Sequence, residues 1–386
     1  MKSVPNRFLN YFIYASFTCV NSFTSFFLPI YLMGIGLSGS RIGLLLMVFT
    51  ATALLSSFAI GIFEDRFGAR GNTVCGLLLM AIFYVGLVAG REILVLLLVF
   101  FVGGLGSNIV RITMNALFLK SHDSDRQGRE IGSFNFVYQL FMGCGIIAGS
   151  LLLTRMQFSA LFSVSAILVL LLIAFALYLR PSSIHIAALS HYVRDITQKR
   201  VLLFSIALFI FYLHWGAEIA CYSPFLKKNL GLSTAGAGLF MGLPIFFLAC
   251  GTFYFGLLRD RGESSIRLAV IAILFSGTGL MLFGIARHTL VSFLFRLVHE
   301  TGDAAFVIFT YVGIAQIFPR ERLGGTSGSM YVVMIGAQSA GSWLFSWMGG
   351  EYGYALPHVV AGLCSLSAIP LILRAQAHYR FVLPGN

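Results

Sequence analysis

The tightest constraint on this chain is a succession of apolar runs, each long enough to cross a bilayer and separated by short polar connections. Roughly twenty consecutive apolar residues span the hydrocarbon as a helix. Inside it every backbone N–H and C=O needs an internal partner, so only helices and closed barrels cross. Barrel strands would alternate in polarity over about ten residues, whereas these runs are longer and apolar on every side. The sequence therefore predicts an all-α membrane protein of twelve transmembrane helices, over residues 8–33, 42–62, 72–89, 93–119, 130–154, 158–179, 201–225, 234–258, 268–286, 289–317, 324–349 and 354–373. Only 10% of the residues are charged, against about 25% in a soluble domain. Lys2 and Arg7 precede the first run without a small-residue cleavage site, so it reads as helix 1 rather than a signal peptide.

The net charge of +12 would suit nucleic acid if it formed a patch, but it does not. Of the 26 lysines and arginines, eighteen fall at the N-terminus, in the even-numbered loops or at the C-terminus, and six in the opposite loops. Positive charge marks the cytoplasmic side, so both termini are expected there, the charge is topology, and nucleic-acid binding is excluded. The short loops suit a bacterial inner membrane. The six cysteines stand singly in apolar runs, without metal-ligand or redox spacing, so neither a disulfide nor a metal site is expected.

One polar connection has a distinctive composition: Gly61-Ile62-Phe63-Glu64-Asp65-Arg66-Phe67-Gly68-Ala69-Arg70. It resembles the loop 2–3 signature of the major facilitator superfamily, G-x-L-x-D-R-x-G-R-K, through Gly61, Asp65, Arg66, Gly68 and Arg70, with Ala69 replacing the first basic residue of the closing pair. A second copy, Gly256-Leu257-Leu258-Arg259-Asp260-Arg261, follows 195 residues later. The same offset matches Pro29 with Pro224, Gly36-Leu37-Ser38 with Gly231-Leu232-Ser233, and Gly43-Leu44 with Gly238-Leu239; at 193, Tyr138 matches Tyr331 and Gly143 matches Gly336. The longest polar connection, 180–200, divides the spans six and six. The expected domains are an N-terminal bundle at 1–179, a cytoplasmic linker at 180–200 and a C-terminal bundle at 201–386, the parallel repeat of this superfamily.

The resemblance implies alternating access, with two bundles rocking about a site near the midplane. It also implies a gating role for Gly61, Asp65, Arg66, Gly68, Arg70, Gly256, Asp260 and Arg261. Asp65 is expected against the positive N-terminal end of helix 11, at Gly324-Gly325-Thr326, with Arg66 and Arg70 pairing with neighbouring carboxylates. The second copy has Glu263 where the first has Gly68, so a weaker latch is expected there. Helix 5 carries Gly143, Gly145 and Gly149 but lacks the Gly-Pro ending common in the superfamily's exporters; the glycines serve close packing equally well.

Few ionisable side chains lie deep in the runs: Arg111, Glu218, Arg296, Glu300 and Asp303, joined by His214 and His299. A charge at the bilayer centre costs about 2.5–3.5 kcal/mol on insertion scales, so such residues face a wet cavity or one another. His214 and Glu218 are one helical turn apart, and Arg296, Glu300 and Asp303 share a face of helix 10. Asn108 is the repeat counterpart of Asp303. These residues are the candidates for proton coupling or substrate binding, the alternative being permanent salt bridges such as Arg296 with Glu300. Asn21, Asn108, Asn115, Tyr138, Gln139, Trp215 and Gln338 are the candidates for lining the cavity.

No phosphate-cradling loop, nucleophile elbow or His-Glu-x-x-His pattern occurs, so an enzyme is not expected and no cofactor is implied. The function expected is proton-coupled secondary transport of a small charged or amphiphilic organic solute by a monomer among membrane lipids. The alternatives are a multidrug-type proton antiporter, a lipid or lysolipid flippase, and a transport-dead receptor.

Overall fold

The computed structural model describes residues 6–37, 39–121, 127–179 and 189–373. Lys2, Ser38, Arg126, Arg180, Arg374, Arg380 and residues 180–188 of the expected linker lie outside the described residues. The described chain is helical almost throughout and contains no strand. Its helices are α1 (Asn6–Ser25), α2 (Leu28–Gly34), α3 (Gly39–Phe67), α4 (Ala69–Ala89), α5 (Ile93–Ser121), α6 (Gln127–Leu152), α7 (Phe158–Ala176), α8 (Leu189–Ile196), α9 (Lys199–Ala217), α10 (Ser223–Lys228), α11 (Thr234–Asp260), α12 (Ser265–Ile285), α13 (Thr289–Ile317), α14 (Leu323–Tyr352) and α15 (Ala355–Leu366).

Every run expected to span falls on helix. Ten of the spans are long and apolar enough to cross a membrane on composition alone, and α13 with α14, bent by 112° at the break between them, makes a further one. Those two helices are 29 and 30 residues long, about 45 Å each at ~1.5 Å per residue, so length lets each cross alone. Among the described residues, three spans are broken internally. The first pauses at Phe26–Phe27, ahead of Pro29; α15 pauses at Ser367–Ala368, ahead of Pro370; and α9 passes through a π segment, Glu218–Tyr222, into α10 just before Pro224. Proline lacks the N–H and crowds the carbonyl four residues back, which disrupts the helical ladder at these points. Within the expected linker, α8 buries Tyr192 and Asp195 and exposes His191 and Arg194.

By contacts the described residues fall into two units. One lies within Met1–Ser121, Leu140–Ala187 and Arg320–Val332, the other within His122–Gln139, Ala188–Pro319 and Val333–Asn386. The start of α6 thus belongs with the second unit and the start of α14 with the first. In the first unit α4 packs on α5 and α7, α3 on α5, and α1 on α7. In the second, α12 packs on α13 and α15, α11 on α13, and α9 on α15. At the repeat offset these are the same pairings. Repeat partners Gly36 and Gly231 both take positive φ, 85° and 67°, as a turn that only glycine enters without strain requires. Outward faces carry large apolar side chains such as Leu55, Leu94 and Trp343, as a lipid solvent permits.

Candidate functional site

Buried charge concentrates in the second unit, where α9 and its π segment meet α13. Widening of the helix at Glu218–Tyr222 is the kind of local departure that recurs at functional positions. Glu218, the first residue of that segment, keeps 17% of its side chain exposed, against 4% or less for Arg296 and Glu300. Arg296 grips it with both terminal nitrogens, at 2.5 and 3.0 Å, and reaches Glu300 at 2.5 Å. Such forked, charge-assisted bonds are the stronger kind. The guanidinium also lies 4.5 Å from the centre of the Tyr222 ring, a cation–π contact. Arg296 therefore bridges two helices rather than pairing with Glu300 alone.

Asp303 lies one turn further along α13. Its Oδ2 accepts a hydrogen bond from Trp215 Nε1 at 2.6 Å and lies 3.4 Å from His214 Nε2 and 3.6 Å from His299 Nε2. His299 Nε2 also comes within 2.6 Å of Glu218 Oε1. The two imidazoles stand perpendicular with centroids 5.2 Å apart. Gly279 and Gly302 bring α12 and α13 together backbone to backbone, since a Cβ on either would strike the other helix's main chain. That approach puts the Ser276 carbonyl 2.8 Å from His299 Nδ1. Six of the sequence candidates (His214, Glu218, Arg296, His299, Glu300 and Asp303) are thus gathered in one cluster, with Trp215 as a seventh member.

Arg111 belongs to the other unit. It donates to Asn108 Oδ1 at 2.9 Å and sits 5.0 Å from the Tyr331 ring centre, while its Nε finds no hydrogen-bond partner. Asn108 in turn donates to the Ala53 carbonyl and to Ser57 on α3, at 2.7 and 2.9 Å. Asn115 donates to Tyr14 and to the Arg111 carbonyl. Asn108 and Asp303 occupy equivalent repeat positions yet bind different elements. Asn21 accepts from Tyr84 and Gln139 from Thr252, while Tyr138 and Gln338 are half-buried. Gly145 and Gly149 face the carbonyls of Cys19 and Phe23 on α1, a close helix crossing.

The two signature loops meet helix starts. In the first unit Asp65 accepts from the N–H groups of Gly324 and Gly325, at 3.1 and 2.8 Å, at the start of α14. In the second, Asp260 accepts from Gly128 and Arg129, both at 2.7 Å, at the start of α6. The first N–H groups of a helix have no partner within it and carry its positive dipole, so a carboxylate there is doubly favoured. A Cβ on Gly61 would land on the Gly324 carbonyl, and one on Gly256 on the Gly128 carbonyl. Glycine at both positions is what lets the carboxylates reach.

The basic residues depart from expectation. Arg70 donates to the Leu179 carbonyl at 2.5 Å rather than to a carboxylate, and Arg66 and Arg261 are exposed. Lys120 is a cation partner of Asp65, 2.7 Å from Asp65 and 2.5 Å from Glu64. Sequence reasoning passed over Glu64 and Lys120: a lysine closing an apolar run reads as a loop charge, and only the packing of α5 on α3 shows its side chain 10% exposed.

Residues 11–295 match the family model described as Major Facilitator Superfamily. No curated protein matches the chain. Among solved structures, the human organic anion transporter MFSD10 (TETRAN) superimposes with TM-score 0.78 at 14% identity, covering 96% of this chain and 100% of that one. A bacterial homologue of the iron transporter ferroportin, in an outward-facing state, gives 0.77 at 15%, covering 97% and 100%. The proton:xylose symporter XylE, bound to 6-bromo-6-deoxy-D-glucose, gives 0.71 at 18%, covering 95% and 93%. At these identities the likeness is one of fold.

Proposed function

The chain belongs to the major facilitator superfamily, an integral membrane transporter and not an enzyme, and from that premise we propose that it is a proton-coupled secondary transporter of a small charged or amphiphilic organic solute. Transport runs by alternating access between two six-helix bundles divided at the 180–200 connection, with both termini in the cytoplasm of a bacterial inner membrane. The chain acts as a monomer.

One observation carries the reading: Arg296 holds Glu218 and Glu300 while His214, His299 and Trp215 surround Asp303, all at the α9–α13 contact. Ionised groups persist in hydrocarbon-embedded helices only at a cost, and they mark ion and substrate pathways. A single guanidinium shared by two carboxylates is a set of exchangeable partners, because protonating either carboxylate frees the arginine for the other or for a solute anion. Arg111, beside Tyr331 and Asn108, supplies a second cation for an anionic group. Asp65 and Asp260 at their helix starts act as the latches of the cycle, made in one state and released in the other.

The test is proteoliposomes carrying a pH-sensitive dye, offered organic anions, cations and zwitterions that raise the melting temperature of the purified protein. Solute-dependent proton movement is expected in the parent and a loss of about tenfold or more in Glu300→Gln, Asp303→Asn or Glu218→Gln, in line with removal of a positioned proton-transfer group. Parent-like coupling in all three variants would refute the assignment of the proton site.

A further inference from the structure

Four side chains of the α9–α13 cluster converge more closely than an ion-pair network needs. One donor atom from each of His214, Glu218, His299 and Asp303 lies within 4.8 Å of all the others. They form two one-turn pairs, His214 with Glu218 and His299 with Asp303, on elements that face each other.

Backbone contacts settle which ring nitrogens point inward. His214 Nδ1 is 2.5 Å from the Phe211 carbonyl and His299 Nδ1 is 2.8 Å from the Ser276 carbonyl. A carbonyl only accepts, so each Nδ1 carries the hydrogen and each neutral ring presents a bare Nε2 lone pair to the cluster. This second-site bond to a backbone carbonyl is how metal-binding histidines have their tautomer and orientation fixed.

Each lone pair meets anionic oxygen. His214 Nε2 faces Asp303 Oδ2, and His299 Nε2 faces both Glu218 Oε1 and Asp303 Oδ2. The 2.6 Å approach of His299 Nε2 to Glu218 lies outside hydrogen-bond geometry; that nitrogen and Asp303 Oδ1 are buried without a hydrogen-bond partner, although His299 is wholly buried and Asp303 is 2% exposed. Lone pairs set against carboxylates repel unless a cation, either a second ring proton or a metal ion, lies between them. Formal charge points the same way: Glu218, Glu300 and Asp303 against Arg296 alone leave the cluster two negative when both rings are neutral.

We propose that His214, Glu218, His299 and Asp303 bind one divalent transition-metal cation of the zinc or ferrous class. Two imidazole nitrogens with two carboxylate oxygens suit those ions, whereas magnesium and calcium take oxygen alone. Donor distances of about 2.0–2.2 Å around a tetrahedral ion place the donors roughly 3.4 Å apart. The gaps of 3.4 and 3.6 Å from the two histidines to Asp303 already fit; the closer Glu218 contact opens by rotation of a side chain that is 17% exposed, and the ion enters from that side. Arg296 on Glu218 and Trp215 on Asp303 hold the carboxylates in place.

The proposal goes beyond the transport reading, and direct binding tests it without any transported solute. Full-length protein in detergent, stripped with a chelator, is titrated with ZnCl2 by calorimetry and with CoCl2 by visible absorption. One saturable ion per chain is expected, with a tetrahedral cobalt spectrum. Asp303→Asn and His214→Gln are each expected to weaken zinc by about a hundredfold or more, at or beyond the top of the 10–100-fold range typical of outer-shell changes, and His288→Gln, an exposed histidine, to leave it unchanged. Size-exclusion profiles establish that the variants fold, and His299→Gln replaces either one that does not. Absence of saturable binding, or binding that survives the cluster substitutions, overturns the site. A chain that moves protons with solute but binds no zinc loses this site alone; one that binds zinc without proton-coupled transport loses only the transport reading.

Discussion

Asp65 and Asp260 perform the same backbone task in different surroundings. Each carboxylate caps the first N–H groups of a helix, α14 in one unit and α6 in the other, across a glycine-to-glycine crossing. Asp65 is 1% exposed, beside a fully buried Glu64, with Lys120 bound to both. Asp260 is exposed. Water competes for the second contact and not for the first. Similar caps, at 3.1 and 2.8 Å in one and 2.7 Å in the other, are therefore expected to carry unequal energetic weight, with exposure rather than the loss of a glycine making the second the weaker. The glycine at positive φ has moved one place earlier: Gly262, at φ 91°, turns the chain where Gly68, at 76°, turns it in the first copy.

The largest effect that would sharpen this contrast is expected from Lys120→Met. It takes the Lys120 ammonium away from the buried Glu64 and Asp65, and breaking a buried pair by removing one partner costs about 3–5 kcal/mol. Reversible unfolding in mixed micelles measures the loss. Adding Glu64→Gln should restore part of it, because one of the stranded charges is then gone. A double variant no more stable than Lys120→Met alone would mean that the buried charges are not what makes the first copy costly to disturb.

Next in size is the difference between Asp65→Asn and Asp260→Asn. Hydrogen bonds to a buried charged group contribute about 1.5–3 kcal/mol, and Asp65→Asn should fall in that range because it also strips Lys120 of one partner. Asp260→Asn alters an exposed cap, worth about 1 kcal/mol or less. Equal losses in the two variants, measured side by side by the same unfolding assay, would break the comparison.

Much of this was legible in the sequence because the physical demands are local. Apolar length marks a span whatever packs against it. A glycine four residues before an aspartate marks a close crossing beside a cap, and the copy 195 residues later repeats the requirement. His214 with Glu218 was visible as a one-turn pair, and Arg296, Glu300 and Asp303 as one face of a helix. What could not be read is whatever depends on two helices meeting. Lys120 looks like any loop lysine until α5 lies on α3. The exchange of the α6 and α14 starts between the contact units leaves no trace in composition. The metal-like convergence leaves no ligand spacing in the sequence because its halves are 85 residues apart, and the direction of each histidine's lone pair is set by the carbonyls of Phe211 and Ser276. Pro224, a repeat match to Pro29, is also the local signal for the π segment.

The smallest effect concerns the turn itself. Gly68 pairs φ 76° with ψ 175°, a region essentially reserved for glycine, where another residue is held at about 1–3 kcal/mol. Gly262 follows the end of α11 with φ 91° and nothing within reach of an added Cβ. An alanine there meets only the ordinary left-handed penalty of about 1–2 kcal/mol, partly offset by the reduced freedom of the unfolded chain. Gly262→Ala should therefore lower stability by about 1 kcal/mol and Gly68→Ala by more. The reverse order would mean that the second loop, and not the first, holds the more strained backbone, and exposure alone would no longer explain why the two copies differ.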